Sequence, residues 1–401
     1  MWRAGIIYSR RRSGARVFPF DDARGPRGGS AVDPFWQRSC EYLRHAACIY
    51  PGGALHRCVL YRRNHRLYGW FDAAPLDSVV RKIDALSAPL FVSWQLTRDC
   101  NLACLHCCTD SAPGKRLSGE FNADEAIKFA SQLVEAEVPY VMIAGGEPMI
   151  VSWFWDVLEV LGRGGVQLKI ESNGHLMTPD AARRLVKYPI RSIQISLDGA
   201  TEAVYAKQRV LGTLEKAVAG CRAVTDAGLP LEVTFAPTAI NIHEVEAVAA
   251  LARDVGAFRF NTGRLMRIGT AAKLWDRLEP SAEQYAEFQN TVETLNGFYK
   301  EKMELCYLPW SIEDGLKDGL SSPPATLQVL PDGRVKVAAP LPYVCSDLKV
   351  RSLAEAWDDY RKAWDLPEFK AAAARVLDDT SLLAESNDWK NLVGCDLLVV
   401  D

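Results

Sequence analysis

Four cysteines fall within nine residues, Cys100-Asn-Leu-Ala-Cys104-Leu-His-Cys107-Cys108, and no other stretch of this 401-residue chain is better equipped for chemistry. The spacing is C-x3-C-x2-C, with a further Cys directly after it. Three thiolates on one short loop can hold three irons of a cubane cluster and leave the fourth iron without a protein ligand. A fully ligated cluster carries electrons, whereas an open iron is a place where a small molecule can bind and react. The same thiols, with Cys108 or His106 as a fourth donor, also have spacings that suit zinc. A structural zinc site would leave the other polar loops of the chain without a purpose.

Those loops recur at regular places. Gly145-Gly146-Glu147-Pro148, Ser172-Asn173-Gly174 and Ser196-Leu197-Asp198-Gly199 each follow a short run with strand character. Strands are expected over Leu90–Leu96, Tyr140–Ala144, Gln167–Ser172, Ser192–Leu197, Leu231–Phe235 and Phe258–Thr262. Helical segments alternate with them. Asn122 with Glu125 reads as a capping box, Thr178-Pro179 as N-cap and first helical residue, and Asn241 with Glu244 as another cap. Further helices are expected over Trp153–Leu161 and about Leu214–Ala227. Six strand–helix units in a row predict an α/β fold, a parallel sheet curled into a partial (β/α)6 TIM-like barrel. The Cys loop, the Gly-Gly-Glu-Pro loop and the two Ser-containing loops then lie at the C-terminal ends of consecutive strands, the face where parallel barrels gather their active sites.

Polar residues inside these strands follow a period of two. Lys169 and Glu171 alternate with Leu168 and Ile170, Gln194 and Ser196 with Ile193 and Ile195, and Glu232 and Thr234 with Val233 and Phe235. Apolar side chains should meet the helices, and polar ones the interior. A polar interior suits an open barrel that binds something charged and hydrated. The other reading is that some of these are edge strands with one solvated face.

The flanks differ from this middle. Residues 1–88 carry 15 Lys/Arg against 7 Asp/Glu, although the whole chain has a net charge of −3. Gly, Pro and Arg dominate residues 1–35, which read as a solvated tail rather than a docking arm. Residues 55–71 read as a hairpin around Arg63-Asn64-His65, and 75–87 as a short amphipathic helix bearing Leu76, Val79, Val80, Ile83 and Leu86. Arg10-Arg11-Arg12 lacks a following apolar core, so no secretory signal is expected. No apolar run approaches the length of a membrane span, roughly 18 residues or more. A cytoplasmic protein with reduced thiols is therefore expected from the eleven cysteines, without membrane or nucleic-acid partners.

The chain resembles the radical S-adenosylmethionine (SAM) superfamily. The shared features are C-x3-C-x2-C after a first strand (Cys100, Cys104, Cys107) and a GGEP-type loop after the second (Gly145–Pro148), over about residues 89–270. Trp94-Gln-Leu-Thr-Arg-Asp-Cys-Asn-Leu-Ala-Cys104, Ser172-Asn-Gly174 and Gln194-Ile-Ser-Leu-Asp-Gly199 resemble the peptide-maturase branch, which includes mycofactocin and pyrroloquinoline quinone maturases. Haem-modifying relatives share similar segments. The resemblance implies one [4Fe-4S] cluster on Cys100, Cys104 and Cys107, with SAM bound at its open iron. SAM would be cleaved reductively to a 5′-deoxyadenosyl radical that removes hydrogen from a substrate. It further implies that Gly145, Gly146, Glu147 and Pro148 hold the methionyl amino end. Ser172, Asn173, Ser196 and Asp198 are implied at the ribose or carboxylate, and Arg209 at the carboxylate. His106 stands where many relatives have an aromatic that shields the cluster. An electron donor such as flavodoxin or ferredoxin is implied as partner.

Residues 271–401 resemble a SPASM or twitch extension, a small α+β C-terminal domain. Thr326–Val337 reads as a hairpin about Pro331-Asp332-Gly333, followed by a helix from Ser352 through Trp357. Cysteines that bind auxiliary clusters flank that hairpin in the family. Here Pro323-Pro324-Ala325 and Ala338-Ala339-Pro340 stand near those places, and only the widely spaced Cys306, Cys345 and Cys395 remain. No auxiliary cluster is expected. The expected organisation is a basic N-terminal extension over 1–88, the barrel over 89–270 and a cysteine-poor SPASM-like domain over 271–401. The expected substrate is a ribosomal peptide or small protein. A tetrapyrrole or another carboxylate-rich small molecule, met by Lys169, Arg259, Arg264 and Arg267, is the second reading. A non-catalytic zinc or cluster module is the third.

Overall fold

A computed structural model describes residues 58–61, 67–71, 82–299 and 302–392. The basic tail, the turn expected at Arg63-Asn64-His65, most of the helix expected over 75–87, Cys395 and the apolar run Leu397–Val400 lie outside them. The hairpin is present as β1 (Cys58–Tyr61) paired antiparallel with β2 (Leu67–Phe71). Of the helix expected over 75–87, the described part is a 3-10 turn, Lys82–Ala85, that buries Ile83.

Eleven strands form a single further sheet. Its centre is β3 (Phe91–Gln95), β4 (Tyr140–Ala144), β5 (Gln167–Ser172), β6 (Ile190–Ser196), β7 (Leu231–Phe235) and β8 (Arg259–Gly263), all parallel and adjacent in chain order. A seventh parallel strand, β9 (Glu304–Leu308), follows, and sequence alternation did not predict it. The crossovers contain α1 (Ala123–Glu135), α2 (Phe154–Arg163), α3 (Pro179–Leu185), α4 (Glu202–Gln208), α5 (Leu214–Asp226) and α6 (Val245–Asp254). Two one-turn helices, α7 (Thr270–Lys273) and α8 (Trp275–Leu278), and the long α9 (Ala282–Tyr299) lead into β9.

Local chemistry explains where the helices start. Asn122 accepts from Glu125 N, and Glu125 returns a bond to Asn122 N, closing the capping box. Thr178 accepts from Ala181 N with Pro179 at the first helical position. Asn241 departs from expectation. It precedes a 3-10 turn and gives no side-chain cap. Its amide instead donates to the carbonyls of Asp198 and Ala236 and accepts from Thr238 N. Glu244, the other half of the expected cap, accepts from Ala200 N and the Thr201 hydroxyl. Asn241 and Glu244 therefore tie strand ends together rather than start a helix.

The two faces of the sheet divide as the alternation predicts. Val92, Trp94, Val141, Ile143, Leu168, Ile170, Ile193, Ile195 and Val233 are wholly buried with the helices. Trp94 packs edge-on against Phe129 of α1, with centroids 4.8 Å apart. On the other face, register lines up Glu171, Gln194, Glu232, Arg259 and Glu304 across five strands. Lys169 Nζ donates to Gln194 (2.8 Å) and Glu232 (3.1 Å), and Asn261 donates to the same Glu232 oxygen at 2.7 Å. The edge-strand reading fails, because β5, β6 and β7 each have neighbours on both sides.

The C-terminal hairpin joins this sheet. It comprises β10 (Thr326–Val329) and β11 (Arg334–Lys336), with Gly333 at φ 85° in the turn. β10 pairs parallel with β3, so the hairpin extends the barrel sheet from its first strand. Then β12 (Tyr343–Asp347) pairs with β11, and β13 (Lys390–Asn391) with β12. Helices α10 (Ile312–Ser321), α11 (Leu353–Ala363) and α12 (Pro367–Asp378) complete the region, α11 starting at a Ser352–Glu355 capping box. Cys345 on β12 is buried, and its thiol donates to Val335 O. Cys306 lies on β9, at the opposite end of the strand order.

Candidate active site

The Cys loop leaves β3 and is pinned on several sides. Ala103 N and Leu105 N donate to Val210 O and Gln208 O, just past and at the end of α4. Asp99 bridges Ala112 where the loop returns. Each of the three sulfurs then meets donors of this chain. Cys100 Sγ accepts from Leu102 N (3.4 Å) and faces Asn173 Nδ2 at 3.8 Å. Cys104 Sγ faces Arg209 Nη1 at 3.7 Å. Cys107 Sγ accepts from Ser111 N (3.3 Å) and lies 3.2 Å from the Thr109 hydroxyl. Burial pushes the Cys100 thiol up to about 12 and the Cys104 thiol up to about 11. A metal reverses that preference, because a coordinating thiol is deprotonated outright. Three sulfurs on one loop, each beside N–H donors, fit a cluster held by Cys100, Cys104 and Cys107.

Zinc fits less well. A single tetrahedral ion draws its sulfurs to about 2.3 Å from one point. It also needs a fourth donor, and one of the two that the sequence offers is engaged elsewhere. His106 is turned elsewhere, with Nε2 3.0 Å from Asp198.

The Gly-Gly-Glu-Pro loop interlocks with the Cys loop. Gly145 has φ 152°, and a Cβ there would stand 2.9 Å from Thr97 O. A Cβ on Gly146 would stand 2.0 Å from Asp99 O and 3.0 Å from Cys100 Cβ. Gly146 N and Glu147 N donate to Thr97 O and Asp99 O. These glycines are required by backbone contact between two loops, one of which carries the thiols. Pro148 opens a 3-10 turn behind them. Glu147 is fully buried and accepts from the Ser172 hydroxyl (3.0 Å), Asn173 N (2.9 Å) and Met149 N (3.2 Å). Burial still pushes its carboxyl up to about 7 against those bonds.

Asp198 and Arg209 form the other half of the site. Asp198 has no exposed surface and accepts from Arg209 Nε (2.6 Å) and Ala236 N (2.7 Å). Burial opposes its charge, but Arg209 and then His106 overcome this and hold the carboxyl below the usual range. Arg209 is raised in turn; burial opposes its charge and Asp198 outweighs that. The guanidinium thus reaches from Asp198 to Cys104. Ser196 ends β6 on the polar face, opposite Thr234. The structure therefore brings Cys100, Cys104, Cys107, Asn173, Asp198 and Arg209 together. Glu147 and Ser172 support them from behind.

Sequence reasoning missed two contacts that brace the Cys loop. His106 is a hydrogen-bond partner of Asp198, and its Nδ1 is buried without a partner. Asp110, at φ 55°, gathers Arg98 (2.6 Å), Lys273 (2.9 Å) and Lys115 (3.1 Å). Neither is visible in spacing, since the partners lie far away in the chain or outside any motif. A cavity of about 320 Å³ adjoins Asp110, with Cys104, Ser111, Lys115, Thr270 and Lys273 in its wall.

Residues 94–255 match the model of the Radical SAM superfamily. Mycofactocin maturase MftC of Mycolicibacterium smegmatis is 34% identical over 212 residues, which cover 52% of this chain and 53% of the relative. An AdoMet-dependent heme synthase of Nitratidesulfovibrio vulgaris is 30% identical over 209 residues, covering 52% and 55%. The chain spans about half the length of the curated relatives it matches. Among solved structures, Streptococcus suis SuiB bound to S-adenosylmethionine superimposes with a TM-score of 0.58 at 13% identity, covering 79% of each chain. The anSMEcpe enzyme with bound AdoMet gives 0.54 at 13% identity, over 68% of this chain and 82% of its own. These two likenesses establish the fold, a partial β/α barrel with a parallel sheet at its core.

Proposed function

We propose that this chain is a radical SAM enzyme acting on a ribosomal peptide or small protein. The observation that carries the reading is the interlock of the thiol loop with Gly145 and Gly146, with Asn173 and Arg209 presented to the sulfurs of Cys100 and Cys104. When bound, a [4Fe-4S] cluster with one open iron and SAM would supply reductive cleavage of a sulfonium and hydrogen abstraction by a 5′-deoxyadenosyl radical.

The residues divide that task. Cys100, Cys104 and Cys107 would hold three irons. Leu102 N, Ser111 N and Arg209 stabilise negative charge on the sulfurs. Arg209, fixed by Asp198, presents a permanent positive charge beside Cys104, suited to a carboxylate of SAM. Glu147 orients Ser172 and Asn173 and keeps a buried carboxyl behind the loop, where an ammonium group would favour its ionised form. Gly145, Gly146 and Pro148 would shape the cradle, and Ser196 would meet the ribose or carboxylate.

Peptide modification is favoured over a carboxylate-rich substrate by the state of the basic residues. Lys169 is bonded to Gln194 and Glu232, and Arg259 to Glu232 and Glu304. Arg264 lies over the Tyr285 ring, and Arg267 bonds Thr380. A tetrapyrrole would have to displace these partners. The names of the mycofactocin maturases point the same way, while that of the heme synthase points to the second reading. Residues 271–401 would be a SPASM-like domain that keeps the hairpin and helix order, and residues 1–88 a separate extension. No helix among the described residues is long and apolar enough to cross a membrane, in keeping with a cytoplasmic location.

The test is anaerobic reconstitution and dithionite reduction in the presence of SAM. About four irons per chain are expected, with release of 5′-deoxyadenosine, both absent from a Cys100/Cys104/Cys107→Ala variant. With a deuterated candidate peptide substrate, deuterium should appear in the 5′-deoxyadenosine. Iron loading without nucleoside release would reject the enzyme reading, and release without deuterium transfer would reject the peptide.

A further inference from the structure

The concave face of the sheet is open enough to be reached. Ser93, Met142, Lys169, Glu171, Gln194 and Asn261 are each half-buried, although β3 to β8 all have strands on both sides. The residues that alternate with them, such as Leu168, Ile170 and Ile193, are closed off against the helices. What access the polar set has therefore comes from inside the curl of the sheet.

Hydrogen bonds on this face run in one direction. Lys169 Nζ (2.8 Å) and Asn261 Nδ2 (3.2 Å) donate to Gln194 Oε1. That turns the amide nitrogen of Gln194 toward Glu171, where it donates to Oε1 at 3.0 Å. The network stops there. Among the described residues, Glu171 Oε2 has no partner, and the side chain is 31% exposed.

Positive charge is short at the same place. Glu232, 5% exposed, receives Lys169 (3.1 Å), Arg259 (3.5 Å) and the Asn261 amide (2.7 Å). Glu304 receives Arg259 at 2.8 Å. Arg191 faces Tyr140, Arg259 and Glu232. The nearest cation to Glu171 is Lys169, at 3.7 Å, and that ammonium is already bonded to Gln194 and Glu232. Burial accordingly holds the Glu171 carboxyl above the usual range, against the pull of Lys169. The carboxylate also lies directly beneath the site. Ser172, the next residue, bonds Glu147, and Asn173, the one after, faces Cys100 Sγ at 3.8 Å.

We propose that Glu171 is a specificity residue that receives a cationic side chain of the peptide, a lysine ammonium or an arginine guanidinium. The inference rests on the peptide-modifying reading of this site and narrows its substrate class. A neutral donor would satisfy Oε2 but leave the charge uncompensated, whereas a cation does both. Met142, level with Lys169 on the adjacent strand, gives an aliphatic stem an apolar wall. A carboxylate-rich substrate would meet like charge here.

The test uses blocked peptides, N-acetyl-Gly-Lys-Gly amide and its norleucine and glutamate counterparts, with the reconstituted full chain and SAM but no reductant. Ligand-observed nuclear magnetic resonance should show the lysine peptide binding about tenfold more tightly than the norleucine peptide, and the glutamate peptide more weakly than either. Glu171→Gln should erase the lysine preference. Glu171→Asp, which keeps the charge on a shorter stem, should retain part of it. Carbodiimide should couple the lysine peptide saturably to Glu171 of the unaltered protein, as located by mass spectrometry. Equal affinity for the three peptides, a lysine preference undiminished in Glu171→Gln, or coupling confined to surface carboxylates would overturn the proposal. Loss of the SAM response of the cluster in Glu171→Gln would also overturn it, by assigning the carboxylate to the nucleoside. Absence of 5′-deoxyadenosine from the reduced, unaltered protein would instead overturn the enzyme reading beneath it.

Discussion

Gly146 is the residue at which the account is most exposed. A methyl group there would meet Asp99 O at 2.0 Å, a contact with backbone that no side-chain rotation relieves. Gly146→Ala should therefore fold, as judged by far-ultraviolet circular dichroism, yet take up little iron on reconstitution. Full iron loading would show that the two loops are not interlocked. Asp198→Asn probes the other half of the site. It leaves Arg209 buried and charged without a carboxylate, and such disruption costs about 3–5 kcal/mol. Thermal or urea denaturation of the iron-free protein should record the loss. The cysteines, the Gly-Gly-Glu-Pro loop, Asn173 and Asp198 were legible in sequence because they lie in loops that follow strands, whereas Arg209, which caps the end of α4, came only from the resemblance. The bond from His106 to Asp198 was not. Spacing shows which residues share a loop, not which side chains turn toward a distant strand.

At the scale of elements, hydrogen bonds between connections matter more than helix propensity. Asn241 holds the carbonyls of Asp198 and Ala236, and Asn241→Ala leaves buried groups unpaired. A loss of about 2 kcal/mol is expected from equilibrium unfolding. Its sequence context suggested a helix cap because the motif describes local pairing, whereas the side chain's partners are tertiary. The strands of the centre were readable, since alternation there reflects burial on one face and a polar interior on the other. The strand β9 was not, because Glu304–Leu308 buries only Leu305 and carries too weak a pattern. Asp110 links α7 to the Cys loop and makes this junction acid-sensitive. Burial opposes its charge, but Lys273, Thr270 and Lys115 outweigh it and lower the carboxyl to about 2. An unfolded Asp titrates near 3.9, roughly, so the contribution is complete above about pH 4 and is lost as pH falls toward 2. Asp110→Asn should flatten that acid loss in pH-dependent unfolding. An unchanged profile would remove Asp110 from the account.

Across the whole molecule, one sheet joins the thiol loop to the C-terminal region. Lys336 on β11 is buried and donates to Ala339 O (2.8 Å) and Ser386 O (2.7 Å). Asn387, next in the chain, donates to Cys108 O at 2.9 Å. The C-terminal turn is thereby closed onto the loop that carries the thiols. The sequence suggested a separate small domain, and its hairpin and helix are present. The parallel pairing of β10 with β3 could not be foreseen, because it joins strands far apart in the chain. Lys336→Met removes the donor and leaves two carbonyls unpaired. It should increase hydrogen exchange through residues 380–392 and hasten cluster loss in air, with the central strands unaffected.

The central claim is that three thiolates leave one iron open to SAM. Electron paramagnetic resonance of the anaerobically reconstituted, reduced protein tests it directly. A cluster signal whose g-values move when SAM is added is expected, with no such signal in the triple cysteine variant. A cluster spectrum indifferent to SAM would contradict it.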